Sequence, residues 1–163
     1  MPDGTPTRSS TTCSRPSGKC VRPALRVVVD TNVWISGLIS PEGTPGHLIR
    51  AAVDARIDPV VSWELVRELF DVLARPRIRR LRVEKRDIDD LLATFGQLLP
   101  EVIVKVDIRD PDDAAVVAAA LSGRVDAIVT GDRDLLDDAD LRSWLLARDI
   151  EVLTPRELLD RLS

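Results

Sequence analysis

Residues 25–32 read Leu-Arg-Val-Val-Val-Asp-Thr-Asn, and this stretch decides how the rest of the chain is read. LRVVV is a short apolar run enriched in β-branched side chains, the composition of a strand buried within a sheet. The acidic and polar triplet Asp30-Thr31-Asn32 ends it. Downstream, residues 33–39 form a helical segment that stops near Ser40-Pro41-Glu42-Gly43, and Thr44-Pro45 opens a second helix running to about residue 54. A strand at 58–61 follows. Ser62 then caps a helix with Leu65, Leu69, Val72 and Leu73 on one face, ending before Pro76.

The alternation continues to the end of the chain. Residues 84–98 show helical periodicity, with Ile88, Leu91, Leu92, Phe95, Leu98 and Leu99 on the apolar stripe, and 102–106 reads as a strand. Pro111 opens a helix to about residue 121, and 125–129 and 150–153 read as strands. Thr154-Pro155-Arg156-Glu157 combines a capping box with proline at the first helical position, so a final helix begins there. Strands alternating with helices imply an α/β fold: a parallel sheet with right-handed crossovers and helices on both faces. No internal repeat and no interdomain linker interrupts it. A tail over residues 1–24 and one domain over 25–163 are expected. In such sheets ligands bind beyond the carboxyl ends of the strands, near a switch in strand order.

Composition agrees with this. Of 163 residues, 44% are apolar, and with two Phe, three Trp and no Tyr the core must be aliphatic. No run approaches the roughly 18 apolar residues of a membrane span, so no membrane association is expected. The tail is rich in Ser, Thr, Pro and Gly and has no apolar segment of a secretory signal, so it is expected to be disordered. The alternative is that the chain truly starts downstream. Cys13 and Cys20 both fall in this tail without a nearby His and make a poor zinc site. They read as incidental thiols in a reducing compartment, which places the protein in the cytoplasm.

The net charge of −4 is unevenly spread. Within residues 1–26 five cations face Asp3 alone, a net of +4, so the other 137 residues sum to −8. Much of that acidity lies around Asp30, in 107–113 and in 126–140, whereas 75–86 is a basic island of Arg75, Arg77, Arg79, Arg80, Arg82, Lys85 and Arg86. An acidic pocket beside a basic flank suits a protein that handles an anionic polymer through metal ions.

Four carboxylates fall where such a site should be. Asp30 and Asp132 each follow a strand, Asp113 lies in the first turn after Pro111, and Glu68 lies in the helix that starts directly after another strand. A cluster of this kind repels itself unless cations neutralise it, and hard oxygen donors select Mg²⁺ or Mn²⁺ over zinc. Each residue also has a plainer reading: Asp30 as a turn or cap, Asp113 as a complement to its helix dipole, Asp132 with Arg133 and Asp134 as a turn, Glu68 as a solvated helix residue.

The segments VVVDTNVWISGL, SWELVRELFDVLARP, DPDDAAVVAAAL and DAIVTGDRDLL, in this order over roughly residues 25–155, resemble the PIN-domain nucleases. The likeness is strongest to the toxins of toxin–antitoxin pairs similar to VapC. The resemblance implies a three-layer α/β/α sandwich around a parallel sheet of about five strands, and a metal-dependent endoribonuclease using one or two Mg²⁺ or Mn²⁺ ions. It places the catalytic and metal-binding quartet on Asp30, Glu68, Asp113 and Asp132, with Asp134 as an additional acid at the metal. Thr31 or Asn32 would orient the first carboxylate or contact metal-bound water, and Thr130 would be a hydrogen-bonding neighbour. RNA is the implied substrate, a separate antitoxin protein the implied partner, and a homodimer through the helices of 44–99 a family habit.

Asp110, Asp112 and Asp113 crowd one turn; the resemblance favours Asp113, and Asp110 is the fallback. Arg75, Arg77, Arg79 and Arg80 are candidates for RNA phosphates, against a solvated helix face or antitoxin docking. His47, the single histidine, reads as structural. Two phosphoryl-transfer classes fit the residues poorly. An aspartyl-phosphatase would want an acid where Asn32 stands, and a receiver domain a late lysine, yet none follows Lys105. The remaining alternative is a PIN-like module that binds RNA or protein without cutting.

Overall fold

The computed structural model of the chain describes residues 23–81, 83–99, 108 and 111–163. Its strands are β1 (Leu25–Val29), β2 (Ile57–Ser62), β3 (Gln97–Leu99), β4 (Ala127–Val129) and β5 (Glu151–Leu153). Its helices are α1 (Thr31–Ile39), α2 (Thr44–Val53), α3 (Trp63–Leu73), α4 (Pro76–Arg79), α5 (Lys85–Thr94), α6 (Pro111–Gly123), α7 (Arg133–Asp137), α8 (Ala139–Leu146) and α9 (Pro155–Leu162). The expected tail over 1–22, the strand at 102–106 and Asp110 lie outside the described residues.

All pairings are parallel, and the strand order is β3-β2-β1-β4-β5. Leu25 to Val27 pair with Ile57 to Pro59, and Val27 to Val29 pair with Ala127 to Val129. The second half of β2 instead pairs with β3, Val60 against Gln97 and Ser62 against Leu99. Four strands thus form the continuous sheet, and β3 extends it from the carboxyl half of β2.

Because successive strand residues face opposite sides, β1 serves two cores. Val27 and Val29, with Val129 and Leu153, pack against Trp34 and Leu38 of α1, Leu48 of α2, Leu91 of α5 and Leu158 of α9. Val28, with Ile128 and Val152, packs against Val116, Val117 and Ala120 of α6, Leu135 of α7 and Leu145 of α8. This is the α/β/α sandwich expected from the sequence. Helix α3 contributes Leu69 to the first core and Leu65 to the second, so it straddles the layers as it leaves β2.

Two of the boundaries that differ from the sequence expectation have a clear physical reason. The helix expected over 84–98 ends at Thr94, and Leu99 is buried as part of β3. Phe95 leaves helical backbone and Gly96 follows, which ends the helix; two leucines alone cannot distinguish a last helical turn from a three-residue strand. Helix α1 begins at Thr31 rather than residue 33, because Asp30 caps it by accepting from the Asn32 amide. The α1–α2 connection is tight: a Cβ on Gly46 would sit 2.2 Å from the Pro41 carbonyl oxygen, so glycine is required there.

A candidate active site at the switch between β1 and β4

The chain runs from β1 to β2 to β3 in one direction, then returns to lay β4 on the other side of β1. The crossovers leaving the carboxyl ends of β1 and β4 therefore depart in opposite directions, which is where open α/β sheets form their ligand crevice. Asp30 directly follows β1 and Thr130 directly follows β4. The two strand ends are joined twice here: the Asp30 amide donates to the Val129 carbonyl at 2.9 Å, and the Thr130 hydroxyl donates to Asp30 Oδ2 at 2.8 Å.

Asp30 is 8% exposed and Thr130 is fully buried. A buried carboxylate needs hydrogen-bond donors, and Asp30 receives them from that hydroxyl and, on Oδ1, from the Asn32 amide at 2.9 Å. The Thr130 oxygen in turn accepts from the Asp132 amide at 3.0 Å, and Asp132 caps α7 by accepting from the Asp134 amide at 2.9 Å. Both aspartates are thus caps and members of one polar chain. Around the other side of Asp30, the buried Thr31 hydroxyl donates to Glu68 Oε2 of α3 at 3.0 Å.

The structure therefore brings Asp30, Glu68, Asp132 and Asp134 to one rim through Thr31 and Thr130. Thr31 serves Glu68, while the backbone of Asn32 serves Asp30; the Asn32 side chain is exposed. Asp113 arrives from a third direction. It is half-buried in the first turn of α6, a helix that runs antiparallel to the strands and so starts at their carboxyl rim. Arg75 and Arg80 flank α4, which carries Arg77 and Arg79; all four are exposed, and none forms an ion pair among the described residues. His47 is exposed on α2.

The donor set is all oxygen, which fits a hard divalent cation. Among the described residues no three His, Cys, Asp or Glu side chains form a ready-made cage. Mg²⁺ suits such an arrangement, because it retains several waters and takes one or two carboxylates rather than a closed protein shell. A groove of about 690 Å³, lined by residues including Ala24, Val53, Asp58 and Thr94, opens at the opposite rim and contains none of these acids. Among the described residues no helix is long and apolar enough to cross a membrane.

Comparison with known proteins agrees with this geometry. The PIN domain family matches residues 26–134, a span that starts in β1 and ends just beyond Asp132. An uncharacterized protein of Methanocaldococcus jannaschii is 29% identical over 143 residues, covering 83% of this chain and 90% of that protein. No solved structure matches significantly. With two thirds of its length matched, switch-point acids included, the chain belongs to the PIN-domain family, whose members are generally metal-dependent nucleases.

Proposed function

We propose that this protein is an endoribonuclease that hydrolyses RNA phosphodiester bonds with one or two Mg²⁺ or Mn²⁺ ions held by Asp30, Glu68, Asp113 and Asp132, with Asp134 beside them. The observation that carries this reading is the polar chain at the switch point, in which hydroxyls and amides fix carboxylates from β1, α3 and the β4–α7 turn at one rim. Thr130 holds Asp30 in one orientation and Thr31 holds Glu68, so the acids are positioned before any substrate arrives. A bound divalent ion would neutralise their charge, lower the pKa of a coordinated water and stabilise a phosphorane-like transition state. Arg75, Arg77, Arg79 and Arg80 would meet phosphates of the same strand further along.

The finer reading is that residues 25–163 form the nuclease domain of a cytoplasmic toxin of a type II toxin–antitoxin pair. A separate antitoxin protein would restrain it, and a second copy would pair through the helices of 44–99. Exposed Ile39 and Val53 support a protein-facing surface near α2.

Cleavage of a mixed RNA pool, with and without EDTA, tests the activity. Wild type with Mg²⁺ or Mn²⁺ should cut, and both EDTA and Asp30→Asn should stop it. Equal products in all samples would refute the reading. Growth arrest on expression, relieved by Asp30→Asn, tests the toxin role.

A further inference from the structure

Most aromatic side chains of this chain are accounted for by packing. Trp34 and Phe95 meet in the core with ring centroids 5.9 Å apart, and Trp144 is covered by Arg148 at 3.7 Å. Trp63 and Phe70 are different. They are 54% and 47% exposed, and among the described residues neither has a ring or cation partner. With Arg67 between them, they lie at helical spacings of four and three on one stripe of α3, turned away from the buried Leu65 and Leu69.

The stripe starts at the catalytic rim. Strands β1 and β2 are parallel neighbours, α1 starts at Thr31 just past β1, α3 starts at Trp63 directly after β2, and the Thr31 hydroxyl donates to Glu68 of α3. Trp63 thus opens the helix that carries Glu68, at the same carboxyl rim as Asp30. In the other direction the stripe runs into Arg75, Arg77, Arg79 and Arg80. Together with Arg67 these side chains have no ion pair or hydrogen bond among the described residues, as is true of Arg124, Arg133 and Arg156 elsewhere, but here five such arginines gather on α3 and around α4.

We propose that Trp63, Arg67 and Phe70, continued by the arginines of α4, form a track for single-stranded RNA leading away from the scissile phosphate. The inference rests on the ribonuclease reading above and adds to it the side chains of this protein that hold the strand outside the acidic cluster. Exposed rings stack on unpaired bases, which a duplex hides, and unpaired arginines take successive phosphates. A second copy of the chain, which the reading above brings in near α2, fits this α3–α4 face poorly. A two-fold contact sets a patch against itself, which would oppose five arginines to five arginines.

The test uses the full chain carrying Asp30→Asn, so that RNA is bound without being cut. Binding of a fluorescent uridine-rich single strand and of a blunt RNA duplex is measured by anisotropy. Trp63→Ala and Phe70→Ala should each weaken single-strand binding by about tenfold and leave the duplex affinity unchanged, while Trp63→Phe should keep the single-strand affinity near wild type. Arg77→Gln should weaken both RNAs and reduce the dependence on salt. In the cleaving protein, Trp63→Ala should raise KM with kcat held. Unchanged single-strand affinity in both aromatic variants would overturn the track. So would a wild-type dimer that Trp63→Ala converts to monomer with RNA affinity intact, which would make the stripe a contact between copies. If wild type neither binds nor cuts any RNA, the ribonuclease reading itself fails; intact cleavage with indifferent aromatics refutes the track alone.

Discussion

Carboxylates surround both ends of β1, and the two sets are held in different ways. At the amino end Asp58 of β2 stands 3.4 Å from the Arg26 guanidinium, and Asp126 Oδ2 accepts from the Arg26 amide at 2.9 Å. At the carboxyl end Asp30 and Asp132 are met by hydroxyl and amide donors, and among the described residues neither has an Arg or Lys within ion-pairing distance. Hydroxyls and amides orient a carboxylate without cancelling its charge. At the amino end Asp58 meets an internal counter-charge on Arg26, whereas among the described residues the Asp30 and Asp132 carboxylates are oriented by neutral donors.

This contrast is broken most sharply by comparing Asp30→Asn with Asp58→Asn. Asparagine caps a helix as well as aspartate, so Asp30→Asn should keep the circular dichroism spectrum while RNA cleavage falls by about a thousandfold, the several kcal/mol expected of a metal-site charge. Asp58→Asn should cut at the wild-type rate. Similar losses in both would erase the distinction between the two rims.

A middle-sized effect is expected from Thr130→Val. It removes the hydroxyl shared by Asp30 and the Asp132 amide, leaving buried polar atoms short of a partner. Unfolding should become easier by about 1–3 kcal/mol, and Mn²⁺ affinity, read by calorimetry, should drop by about 10–100-fold, as for other residues that orient metal ligands. A stability loss with unaltered Mn²⁺ affinity would make Thr130 a structural residue alone.

The smallest effect concerns an ion pair outside the rim. The Arg161 guanidinium holds the Glu151 carboxyl below the ordinary glutamate range through hydrogen bonds at 2.6 and 2.9 Å, against a smaller opposing push from burial. A carboxyl with a lowered folded pKa contributes stability that is present above its unfolded value and is lost as pH falls through the folded one. The pair is 45% and 42% exposed, so solvent limits its contribution to less than about 1 kcal/mol. Thermal melts of Glu151→Gln against wild type should differ slightly at neutral pH and converge in acid. A gap that widens on acidification would reverse the assigned direction.

Much of the architecture is legible in the sequence because its signals are local. The β-branched run of β1 and the Thr154–Glu157 capping box, with the Glu157 amide on Thr154 at 3.2 Å and the Thr154 amide on Glu157 at 2.8 Å, depend on near neighbours alone. The position of α7 and α8 is not legible, since Asp132 and Asp138 cap short helices inside a stretch whose acidity masks its periodicity. At the site, the acids are readable from their places after strands. Which hydroxyl serves which acid is not: Thr31 neighbours Asp30 in sequence yet donates to Glu68, a pairing set by how α1 and α3 pack. The Trp63–Arg67–Phe70 stripe is visible in spacing, but Leu65, Leu69, Val72 and Leu73 account for the same helix, and exposure alone separates the two faces.

The valine triplet of β1 has a further consequence. Val27, Val28 and Val29 are interchangeable, so hydrophobicity alone would tolerate the strand sliding one place along its neighbours. The residues bracketing the triplet forbid it, because a slip would draw Arg26 or Asp30 between the helical layers, away from Asp58 or Thr130. The same aspartate that reaches toward solvent chemistry therefore acts as a locating pin during assembly. A chain that mispairs its central strand loses the arrangement of its switch-point carboxylates along with its fold.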